Sequence, residues 1–314
     1  MTLARRSPHP VLLYGALLLH TFLSAGTYLV AKRAMREIPP LTLGLLRFAV
    51  ASVLLALLLR GLLRRGARLP PPAQRKKLLA LAFIAVPLNQ GFFLVGLSRS
   101  TASHAALLYS LTPVFVLLLA QALLRELPGA RTVVGTLLAL GGTVFVLLQR
   151  GVDPYTGAVG DLLLFVAVLA WACYTAGGRP LVAAHGALPV TAWSHIGGTI
   201  LYLPVGLFAL FAGGGSEQVA RASPGAWTGV LYLSVVTSVI AYLLWYWALA
   251  HLAAARVAVF SNLQPLATAT LAHFFLREHV TASFVAGALV VMTGVVLAQT
   301  GREVQEPAAV PPEP

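Results

Sequence analysis

Ten apolar stretches, each close to the length of a membrane-crossing helix, fill almost the whole chain. They run over approximately 11–31, 40–60, 78–98, 101–124, 132–149, 157–178, 188–211, 225–250, 253–276 and 281–300. A helix needs about 20 mainly apolar residues to cross a hydrocarbon layer about 30 Å thick. Charged residues make up only 10% of the 314, and the mean hydropathy is +0.84; soluble domains carry about 25% charged residues. The expected fold class is therefore an all-α membrane protein with ten transmembrane helices, and the lipid bilayer is its first partner.

The first stretch follows Arg5 and Arg6 as a signal peptide would. It lacks a small-residue cleavage site and nine more stretches follow, so it reads as a span. The single Cys173 lies inside the sixth stretch, which excludes a disulfide framework and a cysteine metal site. Residues 1–10 and the acidic, proline-rich 301–314 read as disordered tails.

A net charge of +13 would suggest nucleic acid in a soluble protein. Here cytoplasmic loops explain it, because they accumulate Lys and Arg. With the N-terminus inside, the inner segments hold 14 basic residues and the outer ones 7, Arg47 lying within the second span. The loop "RGLLRRGARLPPPAQRKK" dominates the asymmetry. Both termini are expected in the cytoplasm, in the cell (inner) membrane, and no nucleic acid is expected.

An internal repeat organises the spans. A shift of 152 residues superposes "LTPVFVLLLAQALLRE" at Leu111 on "LQPLATATLAHFFLRE" at Leu263, and Gly135 and Gly142 on Gly287 and Gly294. From Leu97 to Val146, 16 of 50 positions are identical without a gap. Nearer the N-terminus the shift falls to about 147, aligning "SAGTYLVAKRA" with "WACYTAGGRPL". Each unit then holds five spans, over 11–149 and 157–300. Five is odd, so the second unit enters the membrane from the opposite side. Inverted-topology repeats of this kind build many secondary transporters, with substrate bound near the midplane between the halves.

The chain resembles the ten-span drug/metabolite transporter superfamily, in its EamA subgroup of bacterial metabolite exporters. The resemblance rests on "GTYLVAKRAM", on "LTLGLLRFAVASVLLALLL" with its early Arg47, on "ALLYSLTPVFVLLLAQALLRE", and on "GTLLALGGTVFVLL". It returns in "GDLLLFVAVLAWACYTAGGR" and "VAVFSNLQPLATATLAHFFLREHVTASFVAGALVVMTGVVL". The first span departs from the pattern in having no Trp before Gly26. The resemblance implies export of small organic metabolites, such as amino acids or related amphipathic compounds, by alternating access.

Polar residues inside spans are costly and so are informative. His20, Ser24, Thr27 and Tyr28 form one stripe of the first span. Trp171, Tyr174 and Thr175 form the matching stripe of the sixth. The third span offers Asn89, Gln90 and Phe93; the eighth offers Ser238, Tyr242 and Trp245. Tyr109 with Ser110, and Ser261 with Asn262, precede the repeat-related prolines Pro113 and Pro265. These side chains are the substrate-binding candidates, Thr27, Thr175 and Ser238 being secondary to the rest. For each, the plain alternative is a hydrogen bond between helices. The two prolines are either paired hinges or fixed kinks.

Arg47 either neutralises a substrate carboxylate or binds a neighbouring carbonyl as a structural cation. His104 and Arg256 are repeat equivalents near opposite mouths. Arg125-Glu126 and Arg277-Glu278 mark water boundaries. Pro87 and Pro204 lack repeat equivalents and are assigned to packing, as are the paired glycines at seven-residue spacing. No carboxylate lies deep in any span, so His20, His195 or His273 would have to carry a coupled proton. No P-loop, paired-Asp or His-Glu-x-x-His pattern occurs; no cofactor, metal or catalytic residue is expected. The alternatives to a transporter are an intramembrane enzyme acting on lipid-linked substrates and a non-transporting scaffold. Homo-oligomerisation is left open.

Overall fold

The helices of the computed structural model fall on the ten apolar stretches, but several are broken or locally widened. It describes residues 8–66, 70–100, 102–124, 127–149, 158–276, 282–301 and 303–304. Their order is α1 (Pro10–Ala34), α2 (Pro40–Arg64), α3 (Pro72–Ser98), α4 (Ala102–Tyr109), α5 (Thr112–Leu124) and α6 (Ala130–Gln149). The second half contributes α7 (Ala158–His185), α8 (Ala187–Phe211), a short α9 (Gly215–Arg221), α10 (Pro224–Leu249), α11 (Ala254–Ala258), α12 (Gln264–Leu276) and α13 (Ala282–Thr300). Six of these, α1, α2, α3, α7, α8 and α10, are long and apolar enough to cross a membrane, and shorter apolar helices accompany them. Large side chains such as Val11, Leu162, Phe208 and Phe211 stand exposed on the outside. A water-facing surface would not carry such a patchwork; lipid does.

Local chemistry places the helix ends. Pro10, Pro40 and Pro224 open α1, α2 and α10, where their missing N–H costs nothing. Ser223 caps α10 by accepting from the backbone N–H of Ala226 at 3.3 Å. Gly186, at φ 84°, turns the chain between α7 and α8 in a single residue, a conformation open chiefly to glycine.

The two halves pack as equivalents. α2 lies along α8, and α6 lies along α13. α1 packs against α10, as α7 packs against α3. At the α6–α13 crossing the backbones touch: a Cβ on Gly135 would strike the Ala298 backbone, and one on Gly294 would strike that of Ala139. The seven-residue glycine spacing therefore serves close approach, as its pattern suggests.

Two features go beyond the sequence reading. α3 and α10 each contain a widened π-helical segment, Ile84–Gly91 and Tyr232–Ala241, at overlapping positions of the repeat. In α3 the wide turn accommodates Pro87, which is thus more than a packing residue. In α10 no proline is present. There the Ser234 and Thr237 hydroxyls bond back to the carbonyls of Val230 and Leu233 at 2.7 Å, an arrangement that bends helices.

The repeat-related prolines Pro113 and Pro265, expected as paired hinges or fixed kinks inside helices, stand where helices restart. The helix breaks before Pro113, between α4 and α5, and before Pro265, where the tight turn Val259–Leu263 separates α11 from α12. Each proline is the second residue of the helix that restarts, a position that tolerates the missing N–H. Near the chain's end, Glu303–Val304 pairs antiparallel with Leu127–Pro128, inside a segment expected to be unstructured. The Arg-Glu pairs at 125–126 and 277–278, and the side chains of His104 and His273, lie outside what is described.

Candidate functional site

α1 presents its polar stripe to a cavity between the halves. His20, Ser24, Thr27 and Tyr28 line one wall. Gln90 and Phe93 of α3, Tyr109 of α4, Trp171 of α7 and Tyr242 of α10 complete most of the rest. Eight of the fourteen binding candidates thus meet around one space of about 60 Å³, room for a few waters.

Three further lining residues are not among those fourteen: Arg47, which the sequence offered as a carboxylate partner or a structural cation, Thr237 and Gln264. Arg47 is the most consequential. It is 1% exposed, and its Nε donates to Ser238 Oγ at 2.7 Å, its Nη1 to Gln90 Oε1 at 2.8 Å and its Nη2 to Thr237 Oγ1 at 3.1 Å. The two π-helical segments supply this cradle from opposite halves. All three acceptors are neutral. Guanidinium has five N–H donors, so two have no acceptor among the described residues. A buried cation normally has a carboxylate partner, and no carboxylate among the described residues lines this cavity. The signal in the sequence was the arginine's depth, and its family-typical position drew attention to structure instead.

The cradle is held from behind. Asn89 lies under Gln90: its Oδ1 accepts from Gln90 Nε2, while its Nδ2 donates to the Ala167 carbonyl at 2.7 Å and to Tyr109 Oη at 3.2 Å. Gln90 Nε2 also donates to Tyr242 Oη at 3.1 Å. Tyr28 Oη donates to Gln264 Oε1 at 3.3 Å, tying α1 to α12. Asn89 is therefore a support for the wall, which its polarity in the sequence did not distinguish from lining.

Aromatic rings form the apolar side. Tyr28, Phe93 and Tyr109 meet edge to face with centroids 5.6–6.0 Å apart. Trp171 lies 5.2 Å from Tyr242 and 5.6 Å from Trp245. Trp245 and Tyr174 sit one layer back. Trp245 Nε1 donates to Thr175 Oγ1 at 3.3 Å, and Tyr174 stacks on Tyr246 at 4.7 Å with its hydroxyl 2.8 Å from Ser194 Oγ.

The remaining candidates do not line the cavity. Ser110 is buried at the break between α4 and α5. Ser261 and Asn262 are buried in the tight turn before α12, and their side-chain polar atoms have no hydrogen-bond partner among the described residues. Pro113 and Pro265 stand at the start of the restarted helices beside them. Arg256 is at the far end of the bundle, bonded through Nη2 to the Gly301 carbonyl.

The halves are also fastened at opposite ends of the bundle. At one end Glu37, in the α1–α2 turn, accepts from Ser223 N at 2.6 Å and Ser223 Oγ at 2.9 Å. These two bonds hold its carboxyl below the usual carboxylate range. At the other end His185 Nε2 lies 2.5 Å from Gln74 Oε1, joining the α7–α8 turn to the start of α3. The two fastenings sit at equivalent places of the repeat.

Comparison with known proteins gives this arrangement a lineage. The profile of the EamA-like transporter family matches residues 12–148 and 158–300. An uncharacterized transporter of Archaeoglobus fulgidus is 30% identical over 275 residues, covering 87% of this chain and 92% of its own. A probable terminal-alkyne amino-acid exporter of Streptantibioticus cattleyicolor is 28% identical over 236 residues, covering 75% and 76%. A solved crystal structure superposes with a TM-score of 0.71 at 18% identity, covering 92% of this chain and 97% of that one. That likeness concerns the fold.

Proposed function

The chain belongs to the EamA-like transporter family, and from that premise we propose that it exports small organic metabolites bearing a carboxylate, amino acids or related amphipathic compounds among them. A multi-pass membrane transporter is what the family and its relatives have in common, and the membrane-enzyme alternative is set aside on that ground.

One observation carries the substrate class. Arg47 is a fully buried cation on a cavity wall, with two N–H donors unmatched and only neutral partners among the described residues. A ligand carboxylate supplies the missing charge and accepts those donors in the forked geometry that guanidinium favours. The facing rings suit an apolar side chain. The relative named as an amino-acid exporter supports the same class.

We further propose that the ten helical segments all cross the inner membrane, as two five-helix units over 11–149 and 157–300 with opposite orientation and both termini in the cytoplasm. Alternating access then opens one end of the bundle at a time. The Glu37–Ser223 and Gln74–His185 fastenings are the contacts each opening would break. A space of about 60 Å³ is far below the roughly 300 Å³ of a typical ligand pocket, so the helices part to admit substrate. The breaks before Pro113 and Pro265 are the hinge candidates for that motion.

The test is export. Cells expressing the protein are loaded with dipeptides or toxic amino-acid analogues, and efflux and resistance are measured beside flux in proteoliposomes. Accelerated efflux of carboxylate compounds is expected. No change for any compound in either assay refutes the exporter reading.

A further inference from the structure

We propose that a lateral groove between α2, α8 and α10 binds an anionic phospholipid, with one acyl chain lying in the groove and the phosphate held by the basic cluster at its end. The site is separate from the central cavity and stands whether or not the transport reading does.

The groove has a volume of about 490 Å³, inside the range of about 300–1,000 Å³ usual for ligand sites. Its sides are Leu62 of α2, Leu188 and Pro189 of α8, and Ile240, Leu243 and Leu244 of α10. Among the described residues it shares no lining side chain with the central cavity. Its floor is sealed, because Leu188 and Leu243 lie on a buried cluster that includes Leu55, Leu59, Ala192 and Val239. Ile240 is 41% exposed, so the groove opens to the outside of the bundle. α7 and α8 are joined by Gly186 alone, which leaves no loop to cover it.

Direction and depth suit an acyl chain. The groove starts at the bundle end, at His185 and Trp247, and reaches Ile240, about 10 Å deeper along α10. Empty space there would forfeit dispersion contacts, so hydrocarbon fills it. No Lys, Arg, Asp or Glu among the described residues lines the groove itself. A soluble anion would therefore find nothing to hold it there, whereas a lipid tail would.

Charge selects which lipid. Six exposed cations stand at the same end: Arg60, Arg64 and Arg65 on and just past the end of α2, and Arg75, Lys76 and Lys77 at the start of α3. Arg65 lies three residues beyond Leu62 and so shares its helix face. The start of α3 is brought to the groove by the bond from Gln74 to His185. No Asp or Glu occurs over 38–125, 162–216 or 218–277, stretches that contain α2, α3, α8 and α10 whole. Those helices thus offer the cations no counter-charge of their own. Trp247 lines this end with its ring 5.3 Å from that of His251, and tryptophan beside Arg and Lys marks the level of the headgroups. Basic clusters of this size at the ends of membrane helices select anionic headgroups.

Trp247 makes the site readable. In the full chain carrying Trp193→Phe and Trp227→Phe, both exposed tryptophans are removed while Trp171 and Trp245 stay buried, so quenching by lipids with brominated acyl chains reports on Trp247. In mixed micelles of a neutral detergent, brominated phosphatidylglycerol should quench saturably and about tenfold more tightly than brominated phosphatidylcholine, the scale of one or two cation contacts. Arg64→Gln, Arg65→Gln, Lys76→Gln and Lys77→Gln together should bring phosphatidylglycerol down to the phosphatidylcholine level. Leu62→Phe with Leu244→Phe, which fills the groove from two sides, should remove saturable quenching with the cations intact. Soluble glycerol phosphate should not displace the lipid. Equal quenching by the two lipids overturns the proposal, as does a preference that survives the four charge substitutions. Saturable quenching that survives the two phenylalanines, or displacement by glycerol phosphate, overturns it as well. The lipid and glycerol phosphate comparisons need neither the charge nor the groove variant, so they decide the matter if one of those fails to fold.

Discussion

α1 and α7 are equivalent helices of the two repeats, yet α1 gives the cavity four lining residues and α7 only Trp171. Ser24 and Thr27 of α1 align with Trp171 and Tyr174 of α7. The small residues leave room for the cavity. Of the large ones, Trp171 closes the cavity's far wall and Tyr174 fills the room behind it, stacked on Tyr246 and bonded to Ser194. The second helices differ in the opposite sense. When α2 and α8 are aligned from Pro40 and Ala187, the small Ser194 takes the place of Arg47. Side-chain volume has thus moved from one helix of the pair to the other. A symmetric scaffold carries an asymmetric site between its halves, with the buried cation contributed by the first half and a packed aromatic cluster by the second.

The largest effect that would break this comparison comes from Arg47. Arg47→Met should weaken carboxylate substrates about a hundredfold, the scale of a lost charge-assisted interaction of about 3 kcal/mol. Its thermal stability in detergent should hold or rise, since apolar replacements of buried ions often stabilise. A clear fall in melting temperature with transport retained would make Arg47 structural. Next come the paired aromatics. Tyr174→Ala should cost about 3 kcal/mol of stability by opening a void, whereas Trp171→Ala should change transport more than melting. Reversed outcomes would place the site in the second half.

The crossing of α6 and α13, where the halves meet as equals, gives a smaller and purely structural effect. Gly135→Val should destabilise by about 2 kcal/mol through overpacking, while Gly141→Val, with nothing near its Cβ position, should be neutral. Melting curves of the two variants read this directly. The smallest effect belongs to Glu37. Ser223's N–H and hydroxyl depress its carboxyl below the unfolded value, so its contribution is present above that value and is lost as pH falls through the depressed one. Stability measured from about pH 6 down to about pH 3 should therefore decline more for the native protein than for Glu37→Gln, and equal slopes would remove the fastening.

Much of this was legible. Pattern and length located the helices to within a few residues, except α3 and α7, which extend further toward Pro72 and His185. The His20–Tyr28 stripe turned inward because a helix repeats every 3.6 residues and polar groups avoid lipid. Other features were hidden. The π-helical segment of α10 contains no proline to announce it, and Thr237 resembles any helix-bonding threonine. Gln264 looked like the residue before a proline until Tyr28 was found against it. Asn89 and Gln90 are adjacent amides, and only packing made one the wall and the other its support.

Composition and periodicity alone determined that this chain lives in a membrane, as two related sets of apolar helices. Those properties follow from how each segment meets lipid, and lipid contact is set residue by residue. The site is a different kind of fact. Whether Arg47 is a glue residue or an anchor depends on what surrounds its five donors, and its acceptors lie 43, 190 and 191 residues away along the chain. Only the tertiary structure brought the two widened helices to the same cation and left two of its hydrogens without an acceptor among the described residues.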